Sequence, residues 1–457
     1  MIGEVATGIA DLEDTIAAVA TPLGRGALAV IRLSGRRAFS IAKKHVTPWP
    51  LEARTAHLST VRDAQEVLDQ AMVTVFPAPK SFTGEDTVEI STHGGYMVPG
   101  SIVAALIATG ARQALPGEFT RRAVLNGKLD LLRAEAIGDL IDARSRAMQH
   151  AALSQLDGGL SRRLSQLRED LIGLEALIAY DIDFPEEDDG PVSRDRIQQA
   201  TNGLIVSLRT LLATAPVGEI VREGAVVVIA GPPNAGKSSL FNALLGKSRA
   251  IVTEIPGTTR DALEAVIDDG KYPLRLVDTA GLRETVELIE RLGIEVSERY
   301  LGAADVVLCC SDNTEGLEKT IAVIEQKSEG VLIPVRTKCD LVTTRDQSST
   351  QTAIHVSAET RVGLQQLLRA IEEAIESRYG EITPDLPMLT SARHKHALAT
   401  ALSEIEQFQH AWRDEVLPAP VASVHLRTAV YVLEELIGNV DVEDVFDRVF
   451  STFCVGK

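Results

Sequence analysis

Between residues 14 and 120 the apolar positions come in short runs cut by turn residues: DTIAAVA, the turn PLGRG, ALAVIRLSG, DQAMVTVFP, and DTVEIS before HGG. Short β-branched runs bounded by Gly and Pro predict strands, and the segment reads as an α+β domain. From Leu129 to Tyr180 the pattern changes, with Leu, Ile and Ala recurring every three or four residues, which predicts helix. Gly158-Gly159 reads as a break within it, and the acidic 186-EEDD-189 as a solvated loop. At Gly224 the chain turns strand-like in AVVVIAG, followed by LRLVDT, DVVLCC, VLIPVRT and AIHVS with helical stretches between. That alternation predicts a parallel, doubly wound α/β sheet running to about Tyr379. The linker GEITPDLP follows, and residues 390–450 return to helical spacing. The α/β domain is therefore expected to interrupt a helical one.

Composition narrows the picture. A chain of 457 residues suggests about two to four domains, and 45% hydrophobic with 24% charged residues excludes disorder. Aromatics at 4% argue against a base-stacking platform. The balance of 46 basic against 64 acidic residues, a net charge of -18, disfavours non-specific binding to nucleic acid. Any RNA contact should be local or shared with a partner. The four cysteines lack metal-ligand spacing, and Cys309 and Cys310 close an apolar run as core thiols, which points to a reducing compartment. The N-terminal MIGEVATGIADLED has no basic region followed by an apolar run, and no segment reads as a bilayer span. A cytoplasmic protein without membrane attachment is expected.

Chemistry enters with 231-GPPNAGKS-238, which follows the strand AVVVIA and precedes the helix-like SLFNALLG. This is a phosphate loop in its required context: backbone N–H groups from Asn234, Ala235 and Gly236 through Ser239 wrap the phosphates, Lys237 meets β and γ oxygens, and Ser238 coordinates magnesium. In 253-TEIPGTTRD-261, Thr253, Glu254, Ile255, Pro256, Gly257 and Thr258 lead to Thr259, placed where a switch threonine completes the magnesium shell. In 278-DTAG-281, Asp278 supplies a carboxylate toward the metal, Thr279 and Ala280 continue the loop, and Gly281 offers an N–H to the γ-phosphate. Base reading falls to 337-TKCD-340, where Asp340 accepts from guanine N1 and N2 hydrogens and the Lys338 stem covers the base. Thr337 stands where asparagine is usual and is expected to weaken the tie holding that site together. Ser357, Ala358 and Glu359 add a backbone donor toward guanine O6. One position is out of pattern: Leu282 follows Gly281, and a leucine cannot orient the attacking water.

These motifs, together with 81-SFTGEDTVEISTHGG-95, 116-PGEFTRRAVLNGKLDLLRAEAI-137 and the terminal 454-CVGK-457, resemble the MnmE (TrmE) family of tRNA-modification GTPases nearly end to end. The resemblance implies a homodimer with a tetrahydrofolate-binding α+β domain over residues 1–120, which also dimerises. It implies a helical domain in two parts, 121–215 and 381–457, and an inserted Ras-like G domain over 216–380. It implies action with the flavoprotein MnmG at carbon 5 of the wobble uridine of certain tRNAs, from a 5-formyl or methylene tetrahydrofolate. The folate contacts carry over to Arg32, Glu89, Lys128 and Lys457, with Cys454 brought near the folate as a catalytic candidate. A pterin edge suits a carboxylate and a glutamate tail suits Arg or Lys, although taken singly each residue would read as a surface charge or ion pair.

The same resemblance answers the leucine with potassium, held by Asn234, Thr253, Ile255 and Thr258, whose charge would lie over that developing between the β and γ phosphates. Taken alone, Asn234 would read as a hydrogen bond within its loop. The water-orienting role carries over to Glu290, with Glu284, Glu287 and Glu295 left open. Two other readings compete: a nucleotide-gated ribosome-assembly GTPase of the Era or EngA type, and a folate-handling aminomethyltransferase with a regulatory G domain. Small basic RNA-binding modules beside the G domain would favour the former, and this acidic chain has none that its sequence reveals.

Overall fold

The computed structural model describes residues 14–64, 66–183, 193–246, 263–268, 270–278, 300–341, 353–380, 387–413, 418–438, 446, 449–451 and 453–456. The chain separates into two compact units, Met1–Gly138 with Leu433–Lys457, and Asp139–Val432.

The first unit runs β1 (Ile16–Val19), β2 (Leu28–Ser34), α1 (Ala38–His45), β3 (Val46–Thr47), β4 (His57–Asp63), β5 (Glu66–Phe76), β6 (Thr87–His93), α2 (Val98–Ala108), β7 (Arg112–Gln113), α3 (Glu118–Leu125) and into α4 (Leu131–Asp142). Among the described residues seven strands form one sheet in the order β3-β4-β5-β6-β2-β1-β7. Side chains alternate between sheet faces, and the two faces differ in kind. Ile31, Leu33, Val73, Val75, Val88 and Ile90 pack beneath Ala38 and Ile41 of α1 and Ile102 and Leu106 of α2. The opposite face carries Arg32 and Ser34 beside a smaller cluster of Ile16, Ala18, Ala114 and Phe119.

Four strands follow the apolar runs of the sequence, whereas β4 does not. Its buried positions hold Ser59 and Val61 while Leu58 points to solvent, so its alternation is inverted at one end. Helix α2, VPGSIVAALIA, is apolar almost throughout, which hides its period.

The second unit continues with α5 (Arg146–Leu156), α6 (Gly159–Asp183), α7 (Arg194–Leu212) and α8 (Ala215–Glu223). It then enters an α/β layer: β8 (Ala225–Ala230), α9 (Lys237–Leu245), β9 (Leu263–Ile267), β10 (Leu274–Asp278), β11 (Val306–Ser311), α10 (Thr314–Ile324), β12 (Val331–Arg336), β13 (Ile354–His355) and α11 (Leu364–Tyr379). Helices α12 (Ala392–Arg413) and α13 (Ala419–Ile437) follow. The break expected at Gly158-Gly159 falls between α5 and α6. The described strands order as β13-β12-β11-β8-β10-β9. All pairs are parallel except β9 with β10, because the short connection 268–273 permits only a hairpin return. The sheet is doubly wound: Val227 and Ile229 of β8 face α9 and α11, while Val228 and Ala230 face α10.

Helix α7 packs against α6 and α12, with Arg209 donating to Glu406 at 2.7 Å. The stretch Arg194–Glu223 is long and apolar enough, by length and composition, to cross a membrane, which the sequence reading did not anticipate. In the structure it is two helices, and Ile197, Leu204, Leu208 and Leu211 are buried among their neighbours.

Candidate functional site

The phosphate loop is built by close backbone approach. Strand β8 is followed by Gly231, at φ +156°, where a Cβ would lie 2.2 Å from the Cys310 carbonyl of β11. Any side chain there would push the loop off the sheet. The loop then turns through Asn234 in the left-handed region (φ +60°) and Gly236 into the first turn of α9. The N-terminus of α9 thus presents its amides and dipole at the loop. Lys237 is buried and its ammonium donates to the Pro232 carbonyl at 2.8 Å, curled back over the loop. Ser238 and Ser239 are exposed on the first helical turn. Asp278, at the end of the neighbouring β10, is fully buried.

Cys309 and Cys310 lie under this loop as core thiols. Burial, helped by the Glu325 charge, raises the Cys309 thiol to about 12. Burial, with Cys309 and Asp278 beside it, holds Cys310 higher still against the opposing charge of Lys237. Neither ionises under ordinary conditions.

The base-reading loop is fastened directly to the phosphate loop. The Thr337 hydroxyl donates to the Ala235 carbonyl at 2.7 Å. The Lys338 ammonium donates to the Asn234 carbonyl at 2.6 Å and to Asp312 at 3.3 Å. The expectation that threonine gives up the tie an asparagine would make is therefore corrected in part: the hydroxyl is long enough to keep one hydrogen bond to the loop. Beyond it Asp340 is exposed in a short 3-10 turn. The Cys339 amide donates to the Val356 carbonyl at 3.2 Å, which sets this turn against the segment of Ser357, Ala358 and Glu359. Ser357 is fully buried, and its hydroxyl accepts from the Thr360 amide at 3.1 Å. Thr253, Glu254, Ile255, Pro256, Gly257, Thr258, Thr259, Thr279, Ala280, Gly281, Leu282 and Glu290 lie outside the described residues, as do Glu284, Glu287 and Glu295.

In the first unit Arg32 and Glu89 are direct cross-strand partners on β2 and β6. The guanidinium donates to one carboxylate oxygen at 3.0 and 2.8 Å. Its plane lies near two aromatic rings, 5.3 Å from the Phe82 centroid and 5.6 Å from that of Phe119. Both rings belong to stretches that carry the family resemblance, SFTGED and PGEFTRR, although residue type alone marks neither as a site residue. Lys128 runs beside Gly84, and its ammonium donates to the Pro79 carbonyl at 3.1 Å. It therefore shares with Arg32 the loop that carries Phe82.

The C-terminal stretch docks on this same unit. Val455 bridges to Pro116, and the Gly117 amide donates to the Cys454 carbonyl at 3.3 Å. Gly456, at φ +97°, sits where a Cβ would be 2.4 Å from the Val19 carbonyl. Val19 directly follows Ala18, the β1 partner of Arg32. The thiol of Cys454 is exposed, and Lys457 lies outside the described residues.

A buried ionic cluster that the sequence reading missed supports this arrangement. Arg122 is 1% exposed and pairs with Asp14, with Glu85 at 3.1 Å and with Glu118 at 3.0 Å. Glu118 also accepts from Arg112 at 2.6 Å and from the Leu115 amide at 2.8 Å, which fixes the start of α3. Burial alone would weaken these charges. For Asp14 the hydrogen bonds and charges of Arg112 and Arg122 outweigh it and hold the carboxyl below its ordinary value.

Comparison with known proteins adds a family-wide view. The family model of the MnmE helical domain matches residues 131–454, and that of the GTP-binding protein TrmE N-terminus matches residues 15–128. A tRNA modification GTPase MnmE from Desulforamulus reducens is 40% identical over 464 residues, covering 98% of this chain and all of the relative. Its counterpart in Moorella thermoacetica matches to the same extent. The Aquifex aeolicus protein of the same name is 38% identical over 451 residues, with 98% of this chain and 100% of the relative covered. Among solved structures, the G domain of the T. maritima FeoB iron transporter covers 33% of this chain and 98% of its own at 28% identity, with a TM-score of 0.27.

Proposed function

Because this chain belongs to the MnmE family of tRNA modification GTPases, we propose that it hydrolyses GTP to drive modification of the wobble uridine of certain tRNAs at carbon 5. The flavoprotein MnmG is its partner in that reaction, and a tetrahydrofolate derivative supplies the one-carbon unit. The observation that carries the reading is the fastening of TKCD onto the phosphate loop through Thr337 to Ala235 and Lys338 to Asn234. It supports Asp340 as the guanine-reading carboxylate, because the turn that carries it follows directly on residues tied to the loop whose amides are proposed to hold phosphate.

The donor set near the phosphate loop fits magnesium. The Ser238 hydroxyl and the buried Asp278 carboxylate are hard oxygen donors, the kind that ion takes, and Thr259 is the third residue of the proposed set. Magnesium, when bound, neutralises charge on the β and γ phosphates. Lys237 and the α9 amides hold those phosphates in place. Asn234, Thr253, Ile255 and Thr258 are proposed to hold potassium, and Glu290 to orient the water that Leu282 cannot.

In the first unit, the Arg32–Glu89 pair stands beside the partly exposed ring of Phe82, while the buried Phe119 backs the Arg32 guanidinium from the core. That combination suits a flat ring with a donor-acceptor edge and an anionic tail, as tetrahydrofolate has. Lys128 and Lys457 are the further proposed contacts, and the docked tail brings Cys454 to this unit. A homodimer is supported by apolar side chains left in solvent here: Leu58 and Met72 are cross-strand partners, and Leu28, Tyr96 and Met97 are exposed as well. Four free cysteines suit a reducing, cytoplasmic setting.

Nucleotide binding tests the guanine assignment. GTP should bind at least about a hundred-fold more tightly than ATP, because a buried base edge left unpaired costs roughly 1–3 kcal/mol per group. Asp340→Asn should shift preference toward xanthine nucleotides. Equal affinity for ATP and GTP would defeat the reading.

A further inference from the structure

We propose that Thr337 fastens the base-reading loop to the phosphate loop with its one side-chain donor hydrogen, so that this chain recognises guanine without reading N7. The proposal rests on the guanine-nucleotide reading above and concerns how that site discriminates.

Thr337 is 3% exposed, and its hydroxyl donates to the carbonyl of Ala235, itself buried, at 2.7 Å. A hydroxyl has one hydrogen and two acceptor lone pairs. With that hydrogen aimed at Ala235, the oxygen can only accept. Guanine N7 is an acceptor too, and two acceptors form no hydrogen bond. An asparagine here would carry two amide hydrogens. It could serve Ala235 with one and offer the other to a ring nitrogen. Threonine keeps the first contact and removes the second.

The neighbouring donors are also directed at polypeptide. The Thr337 amide donates to the Ser311 carbonyl at 2.9 Å and the Cys339 amide to Val356 at 3.2 Å. The Lys338 ammonium is held between Asn234 and Asp312. Turning the Thr337 hydroxyl toward a base would withdraw its hydrogen bond from a buried carbonyl, a cost that one weak contact to N7 does not offset. Guanine recognition is left to the N1 and N2 edge at Asp340 and to the O6 side at the Ser357 segment.

The test is calorimetry on the full-length protein with GDP, 7-deaza-GDP and ADP. The unmodified protein should bind GDP and 7-deaza-GDP within about two-fold of each other, since only a ring nitrogen distinguishes them. Thr337→Asn should introduce a preference for GDP over 7-deaza-GDP of about five-fold or more, the scale of one added hydrogen bond. Thr337→Val should weaken both nucleotides by the same factor, roughly ten-fold, through loss of the tie. Thr337→Ser, which retains the hydroxyl, should restore binding and so separates loss of the bond from misfolding. A loss of about five-fold or more on 7-deaza-GDP in the unmodified protein would overturn the proposal, as would a Thr337→Asn variant that still treats the two alike. GDP binding no tighter than ADP would instead defeat the guanine reading on which the proposal rests.

Discussion

Arg32 and Glu89 meet across β2 and β6 with the guanidinium 2.8 Å from the carboxylate, and each keeps part of its surface in solvent. A partly exposed pair of this kind adds little stability by itself. Its value is proposed to lie in the charged, hydrogen-bonding edge it presents beside the partly exposed Phe82. Arg32→Ala and Glu89→Gln should each weaken binding of 5-formyltetrahydrofolate by about ten-fold or more, the scale of a charge-assisted hydrogen bond, with little change in melting temperature. Gly456→Ala should weaken it as well, because the added Cβ would collide with the Val19 carbonyl and lift the tail. Calorimetry that finds folate affinity unchanged in all three would make the pair and the tail structural.

Potassium should separate turnover from binding. If Asn234 and the 253–258 segment hold that ion, hydrolysis should be fast in potassium and slow in sodium, which is smaller and fits a ring of loop oxygens poorly. GTP affinity should change far less, because Lys237 and the α9 amides hold the phosphates in either salt. Asn234→Ala should lose the potassium response. Glu290→Ala should leave affinity intact and lower turnover roughly a hundred-fold, as expected for a water-positioning group. A Glu290→Ala variant with undiminished turnover would pass the role to Glu284, Glu287 or Glu295.

Acid should loosen the first unit through Asp14. Its folded carboxyl is held below the ordinary value by Arg112 and Arg122, against the opposing effect of burial. A depressed folded pKa contributes stability above the unfolded value, near 3.8, and that stability is lost as pH falls through the folded one. Melting temperature should therefore drop below about pH 4. Asp14→Asn should lower stability at neutral pH and flatten that acid limb. Equal slopes for both proteins between about pH 5 and 3 would show that the cluster around Arg122 does not depend on this carboxylate.

Legibility in the sequence followed from how local each feature is. The phosphate loop and TKCD were readable because their chemistry lies in consecutive residues after strands whose apolar runs are plain. The Arg32–Glu89 pair was not readable as a pair: its members are 57 residues apart and meet only through the β2–β6 register. Arg122 looked like one basic residue in a helix, and only the fold gathers Asp14, Glu85 and Glu118 around it. Thr337 read as a loss because residue type alone does not reveal the reach of a hydroxyl to Ala235. The hairpin β9–β10 was not readable as a pair, because LEAVI and LRLVD are two short runs that only their antiparallel register joins.

Hydrolysis and folate binding could both occur in a protein that never acts on RNA, so the most direct measurement is made on tRNA itself. Total tRNA from cells lacking this chain should be digested and its nucleosides separated by mass spectrometry, with complementation by the unmodified protein and by Lys237→Ala. Loss of the aminomethyl and carboxymethylaminomethyl wobble uridines, restored by the unmodified protein and not by Lys237→Ala, is the expected result. Wobble uridines unchanged on deletion would contradict the proposed function.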